Sequence, residues 1–144
     1  MGLTLICDDM DIKLGTYSFV YEFKIALIKS ILSYLNSTDF NDDYCVKDIL
    51  LEDLNNLIED DKININKLKK VKEELFAFYE LDGFFNFITN CSCDGIYATY
   101  ETTKFLKTLK IVEEHVDTNF KICIERAKTI FEYSSNTGND VFCS

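Results

Sequence analysis

The sequence offers few residues that could carry out chemistry. The densest group is Cys91-Ser92-Cys93, and His115 is the only histidine. A structural zinc site needs four ligands, usually two closely spaced pairs, and no second pair lies near these two cysteines in the sequence. A thiol enzyme would need the fold to bring His115 to one of them. We expect reduced loop thiols, as is usual in an intracellular protein. A Cys–His pair assembled by the fold stays open as the alternative.

The acidic clusters also fail to predict a reaction centre. Asp8, Asp9 and Asp11, like Asp60 and Asp61, lack the spacing of a calcium-binding loop. The sequence contains no glycine-rich phosphate loop and no G-x-S-x-G motif. We therefore expect a protein that is not an enzyme, with no catalytic residue, no metal and no cofactor.

The charge balance limits the classes of partner. The 144 residues carry a formal net charge of −10 and a single arginine, Arg126, so the chain repels nucleic-acid phosphates and anionic membrane surfaces. No apolar run reaches the roughly 18 residues of a membrane span, and the first residues lack the basic start of a secretory signal. These features predict a cytoplasmic protein that binds neither nucleic acid nor a membrane.

Hydrophobic spacing predicts helices along most of the chain. Apolar residues recur three and four positions apart, and proline is absent. The long predicted helices cover about 17–35, 44–59, a segment capped by Asn66, 96–115 and 117–133. No strand signal is visible, so we predict an all-α fold, a compact helical bundle. Residues 1–16 would form an N-terminal segment, 17–134 a single helical domain and 135–144 a flexible tail.

The first predicted helix carries two apolar stripes, and only one of them is needed to face a core. The first stripe begins at Val20. The second stripe consists of Tyr21, Ile25, Ile28 and Leu32. It either packs beneath the last helix or forms a dimer or partner face, and the sequence alone favours neither.

Aromatic residues crowd the stretch AFYELDGFFNFITN, residues 77–90. Gly83 fits the left-handed position that ends a helix. Most of these rings are expected in the core, but aromatic residues are also enriched at binding hot spots. We therefore expect one or two rings to line a groove. The candidate groove residues are Leu50, Leu54, Tyr79, Phe84 and Phe85.

Four segments follow one another in a suggestive order. They are ALIKSILSYLN (26–36), ELDGFFNFIT (80–89), ETTKFLKTLKIVEEH (101–115) and NFKICIERAKTIFEY (119–133). Together they resemble the poxvirus Bcl-2-like family, small acidic viral proteins that block host apoptosis or innate immune signalling. The resemblance implies a Bcl-2-like bundle with a central helical hairpin and a surface groove.

One departure from the family pattern bears on the implied function. Cellular Bcl-2 proteins hold an aspartate of the bound BH3 helix with an arginine in an Asn-Trp-Gly-Arg motif. Here Asp82-Gly83 is followed by Phe84-Phe85-Asn86-Phe87, and the chain has no tryptophan. The sequence is more similar to the branch without BH motifs, whose members bind signalling proteins upstream of NF-κB and IRF factors and in several cases form homodimers.

The resemblance thus predicts a non-enzymatic viral protein that binds a host protein in the host cytoplasm and inhibits innate immune signalling. Two alternatives remain open at this point. One is an anti-apoptotic BH3-binding homologue, and the other is a structural or replication-associated viral helical protein.

Overall fold

The computed structural model describes residues 2–37, 52, 55–60, 62–64, 66–70, 87–88 and 96–144. Three helices in these ranges are α1 (Tyr17–Ser37), α2 (Thr99–Val112) and α3 (Lys121–Thr137), with one turn of 3-10 helix at Thr118–Phe120. The strands are β1 (Gly2–Cys7), β2 (Met10–Thr16), β3 (Ile58–Glu59), β4 (Lys62–Ile63), β5 (Ile96–Tyr97) and β6 (Val141–Cys143).

The prediction of an all-α, Bcl-2-like bundle is wrong, because strands account for both ends of the described chain. A four-stranded antiparallel sheet has the order β2-β1-β6-β5, and β3 and β4 form a separate hairpin. The protein is therefore a mixed α and β structure. Residues 2–16 and 141–143, which the sequence prediction placed outside the helical domain, pair with each other in this sheet.

The alternation in β1 explains both the strand and why it was missed. Leu3, Leu5 and Cys7 are buried, while Thr4 and Ile6 on the opposite face are half-buried. Because Ile6 is apolar on the outer face, the strand resembles a short apolar run more than a period-two pattern. Asp8 then supplies the turn into β2 with φ +56, a left-handed conformation that aspartate tolerates better than most residues.

The helices agree better with the sequence prediction. Helix α1 is confirmed and extends two residues beyond its predicted end. Residues 96–115 form β5 and α2 instead of one helix. The third predicted helix is helical at 66–70, but Asn64 caps it in place of Asn66, since its side chain accepts a hydrogen bond of 3.2 Å from the Lys67 N–H. Most of the predicted 44–59 helix lies outside the described residues, and its last two residues form strand β3 instead of helix.

Helix α3 is terminated by a glycine. Gly138 has φ +76 and its N–H donates to the Ser134 carbonyl, which is the usual left-handed end of a helix. The chain then turns back, and β6 enters the sheet between β1 and β5, with Leu5 opposite Cys143. The sheet thereby joins the two ends of the described chain.

The core lies between the inner face of the sheet and the three helices. Phe105 of α2 is at its centre, with its ring centroid 5.0 Å from that of Phe131 and 5.2 Å from that of Phe87. Phe87 belongs to the aromatic stretch at 77–90 and is fully buried. The buried ammonium of Lys24 lies 5.3 Å from the centroid of the same ring, a distance at which the ring face attracts a cation.

Candidate binding groove

A concave site of about 810 Å³ lies between α1 and the chain segment 115–120 that connects α2 to α3. We call it the α1 groove. Its apolar lining consists of Tyr21, Ile25, Ala26, Val116 and Phe120, and its polar lining consists of Ser18, Glu22, Lys29, Ser30, His115 and Asp117. A volume of this size lies within the range of roughly 300–1,000 Å³ that is typical of ligand pockets.

The 115–120 segment is fixed to α1 at both ends. At one end His115 has its Nδ1 atom 3.2 Å from the Ser33 hydroxyl and its ring edge-on to Tyr34, with the ring centroids 5.9 Å apart. At the other end Phe120 stacks on Phe19 and Phe23, at centroid distances of 5.4 and 6.1 Å. The segment therefore runs antiparallel to α1, and the groove lies between them.

Local structure holds the segment in this position. The His115 N–H donates to the Val112 carbonyl at 2.9 Å, just past the end of α2. The Asp117 carboxylate accepts a hydrogen bond of 3.2 Å from the Asn119 N–H and so begins the 3-10 turn that leads into α3. Val116, between these two points, is only 6% exposed. The wall opposite α1 is thus built from a short segment whose His115, Asn119 and Phe120 N–H groups are hydrogen-bonded and whose Val116 side chain is a buried anchor.

The floor of the groove is apolar and its polar groups near the helix are already paired. Ile25 is 9% exposed. The Tyr21 hydroxyl accepts a hydrogen bond of 2.8 Å from the Ile63 N–H, which ties the β3–β4 hairpin to α1. The Ser30 hydroxyl donates to the Ala26 carbonyl one turn earlier, at 2.7 Å. A ligand bound here would contact apolar surface at the floor, and the remaining polar groups would face it from the rim.

The charged groups stand at the rim. Glu22, Lys29 and Asp117 are exposed side chains. Two carboxylates and one ammonium give the groove a formal charge of −1, the same sign as the net charge of −10 of the chain. The arrangement of an apolar floor inside a polar rim is the one found in binding interfaces.

The four residues of the predicted partner face on α1 lie in two different environments. Tyr21 and Ile25 line the α1 groove. Ile28 is fully buried in the core, and Leu32 is half-buried against it. A homodimer through this stripe stays a prediction, and it would have to use Tyr21 and Ile25. The other candidate groove residues, Leu50, Leu54, Tyr79, Phe84 and Phe85, lie outside the described residues.

Sequence reasoning missed the wall that faces α1. The predicted helices 96–115 and 117–133 leave only one residue, Val116, between them. In the structure α2 ends at Val112 and α3 begins at Lys121, so both Val116 and Phe120 lie on the connection. The polar run Asp117-Thr118-Asn119 is the signal that could have indicated this longer connection, since such residues are favoured at helix starts. Its packing against α1 depends on tertiary contacts that no local pattern reports.

The chemistry of the described thiols is that of buried cysteines. Cys7, Cys123 and Cys143 are free and buried, and burial raises the pKa of the Cys7 and Cys123 thiols, which reduces their thiolate content at neutral pH. Cys91 and Cys93 lie outside the described residues. Across the described ranges no group of three or more His, Cys, Asp or Glu side chains could hold a metal ion.

Comparisons with known proteins give no further identification: no family model, no curated protein and no solved structure matches the chain. Within the part of the chain that the structure describes, none of the helices combines the length and the apolar character needed to cross a membrane.

Proposed function

We propose that this protein is a non-enzymatic interaction protein that holds a segment of a partner protein in the α1 groove. The lining of the groove carries the proposal. Tyr21, Ile25, Val116 and Phe120 provide an apolar floor that one partner side chain or a few can cover, and the charged rim can fix the partner's orientation.

The dimensions favour a short segment over a broad protein surface. The lining residues of α1 run from Ser18 to Ser30, which is about 18 Å of helix at 1.5 Å per residue. That length matches a few turns of helix or five to six extended residues, at roughly 3.3 Å each. The two fixed ends of the 115–120 segment keep the groove in shape, so binding would need little reorganisation.

A peptide-display selection tests this function. Random peptides of about 12 residues, long enough to span the groove, would be selected on the wild-type protein and then measured by titration calorimetry. The variant Ala26→Phe fills the floor, and Asn136→Phe adds the same ring at an exposed position of α3 away from the groove. We expect selected peptides to bind wild type and Asn136→Phe equally and to lose at least about tenfold in affinity, near 1.4 kcal/mol, on Ala26→Phe.

Ala26 is partly buried against the core, so circular dichroism must first establish that Ala26→Phe is folded. Ala26→Leu, which adds less volume, provides a second filled groove if it is not. Peptides that bind both filled variants as tightly as wild type would place the binding site elsewhere and overturn the proposal.

The sequence resemblance supports innate immune signalling as the setting of this binding. The four-stranded sheet contradicts the all-helical bundle that the resemblance implied, so the pathway is supported by the four sequence segments alone. An NF-κB reporter assay in host cells tests it directly. Wild type and Asn136→Phe should lower the reporter signal, and Ala26→Phe at equal expression should not. Equal signals with and without the wild-type protein would contradict this part.

A further inference from the structure

We infer that the partner segment held in the α1 groove is basic, with one or two apolar side chains flanked by lysine or arginine residues. This inference rests on the proposed function and adds the charge of the partner. It follows from the charges on the groove walls, their distances along α1 and the net charge of the chain.

Carboxylates stand on both walls of the groove. Glu22 projects from α1 and Asp117 from the facing segment, and both side chains are exposed. No described residue forms an ion pair with either of them. Asp117 accepts its hydrogen bond from the Asn119 N–H, an uncharged donor, so its negative charge is not balanced by that contact.

Lys29 is the one permanently charged cation among the residues that line the groove. It lies too far along α1 to neutralise the charge of the Glu22 carboxylate. Lys29 follows Glu22 by seven residues, or about 10 Å along the axis of α1. This separation exceeds the Debye length of about 8 Å at physiological ionic strength. A cation of the partner near Glu22 would therefore meet an attraction that Lys29 only partly offsets.

The charge of the whole chain acts in the same direction. A net charge of −10 on 144 residues raises the local concentration of cationic segments and speeds their encounter. The apolar floor of the groove then adds short-range hydrophobic contact to this long-range electrostatic attraction. A basic segment with an apolar anchor uses both features, whereas an acidic segment would be repelled at the rim.

A matched peptide series tests the inference. Three peptides share the same leucine positions and one tryptophan, and differ in having lysine, glutamine or glutamate at every other site. Because the chain contains no tryptophan, fluorescence excited selectively in the peptide reports binding without interference. At roughly 150 mM salt, where surface attraction is screened beyond about 8 Å, we expect the lysine peptide to bind about tenfold tighter than the glutamine peptide, and the glutamate peptide not to bind.

Two variants separate attraction at the groove from attraction to the acidic chain as a whole. Glu22→Gln should weaken the lysine peptide several-fold and leave the glutamine peptide unchanged. Glu125→Gln, which removes a carboxylate of the same type from an exposed site on α3, should leave both unchanged. Ala26→Phe should abolish binding of the lysine peptide.

The outcomes distinguish this inference from the proposed function. If the glutamine or glutamate peptide binds at least as tightly as the lysine peptide, and Ala26→Phe abolishes that binding, the groove binds a segment but the basic partner is overturned. If the lysine peptide binds Ala26→Phe as well as wild type, or if Glu22→Gln and Glu125→Gln weaken it equally, its binding is general charge attraction and the inference is overturned.

Discussion

Arg126 on α3 donates a hydrogen bond from its Nη1 atom to the backbone carbonyl of Lys13, at 3.1 Å. Lys13 lies opposite Thr4 in the β1–β2 pair, and the N–H and carbonyl of Thr4 bond to Ser144 on the other side of β1. The Lys13 carbonyl therefore points away from the sheet, from an edge strand. Cys123 contacts the next carbonyl, that of Leu14, at 3.6 Å. Side chains of α3 thus cover part of a sheet edge that could otherwise pair with another chain.

Replacing Arg126, the single arginine of the chain, should lower the stability of the protein and uncover the β2 edge of the sheet. Arg126→Ala removes a charged donor, so we expect the free energy of unfolding in urea to fall by about 0.5–1.5 kcal/mol. We also expect concentration-dependent self-association in light scattering, because an uncovered edge strand can pair with another. Lys121→Ala, an exposed cation at the start of the same helix, is the control and should change neither quantity. If Arg126→Ala is as stable and as monomeric as Lys121→Ala, the Arg126 side chain neither stabilises the β2 edge nor prevents it from pairing with another chain.

The centre of the core should be sensitive to truncation at Phe105. Its ring is fully buried between Phe87 and Phe131. Phe105→Ala removes these contacts and leaves a cavity, so we expect a loss of about 3–5 kcal/mol in the free energy of unfolding. Ile111→Ala on the same helix, at a site that is 45% exposed, should lose less than about 1 kcal/mol. Equal losses at the two positions would mean that the core does not centre on Phe105.

The end of α3 offers a test of backbone conformation without a change in packing. A Cβ at Gly138 would have no heavy atom within 4 Å, yet its φ is +76. Gly138→Ala should therefore lose about 1–2 kcal/mol through the left-handed conformation alone. Gly138→Asn should lose less, because asparagine tolerates this region. Equal losses for alanine and asparagine, measured by urea unfolding, would contradict the assigned end of the helix.

Helix α1 could be predicted from the sequence because its signal is local and long. Its apolar residues keep a spacing of three and four over 21 residues, and no glycine or proline interrupts them. The sheet lacks such a signal. Strand β6 has three residues and β5 has two. Strand β6 pairs with β1, from the opposite end of the described chain, and β5 pairs only with β6, so neither strand has a local signal.

Two of the residues that line the α1 groove belong to the stripe that the sequence offered as a possible dimer or partner face. Tyr21 and Ile25 were recognised as members of a second apolar stripe, since a stripe beyond the core face needs a cover. Ile28 belongs to the same stripe by spacing but is covered inside the molecule. The opposite wall, with Val116 and Phe120, depends on the stacking of Phe120 against Phe19 and Phe23. Such contacts join distant segments, so helical periodicity could not reveal them.

The buried thiol of Cys123 predicts how stability changes in alkali. Burial raises its pKa in the folded state, an effect that the nearby Arg126 cation reduces but does not remove. Above the ordinary thiol pKa of about 8.5, the unfolded chain releases the thiol proton while the folded chain still holds it. The folded state then binds more protons, so the free energy of unfolding must decrease as pH rises. Below that pH the thiol is protonated in both states and contributes no slope.

Urea unfolding in a reducing buffer, at several pH values from neutral to about 10, around the ordinary thiol pKa, measures this slope. We expect wild type to lose stability above about pH 8.5 and Cys123→Ala to lose less per pH unit. The variant has lower stability at every pH because it leaves a small cavity, so the slope and not the absolute value is the readout. The raised pKa of Cys7 has the same sign and leaves a residual slope in the variant. Parallel curves for the two proteins would contradict a raised pKa at Cys123.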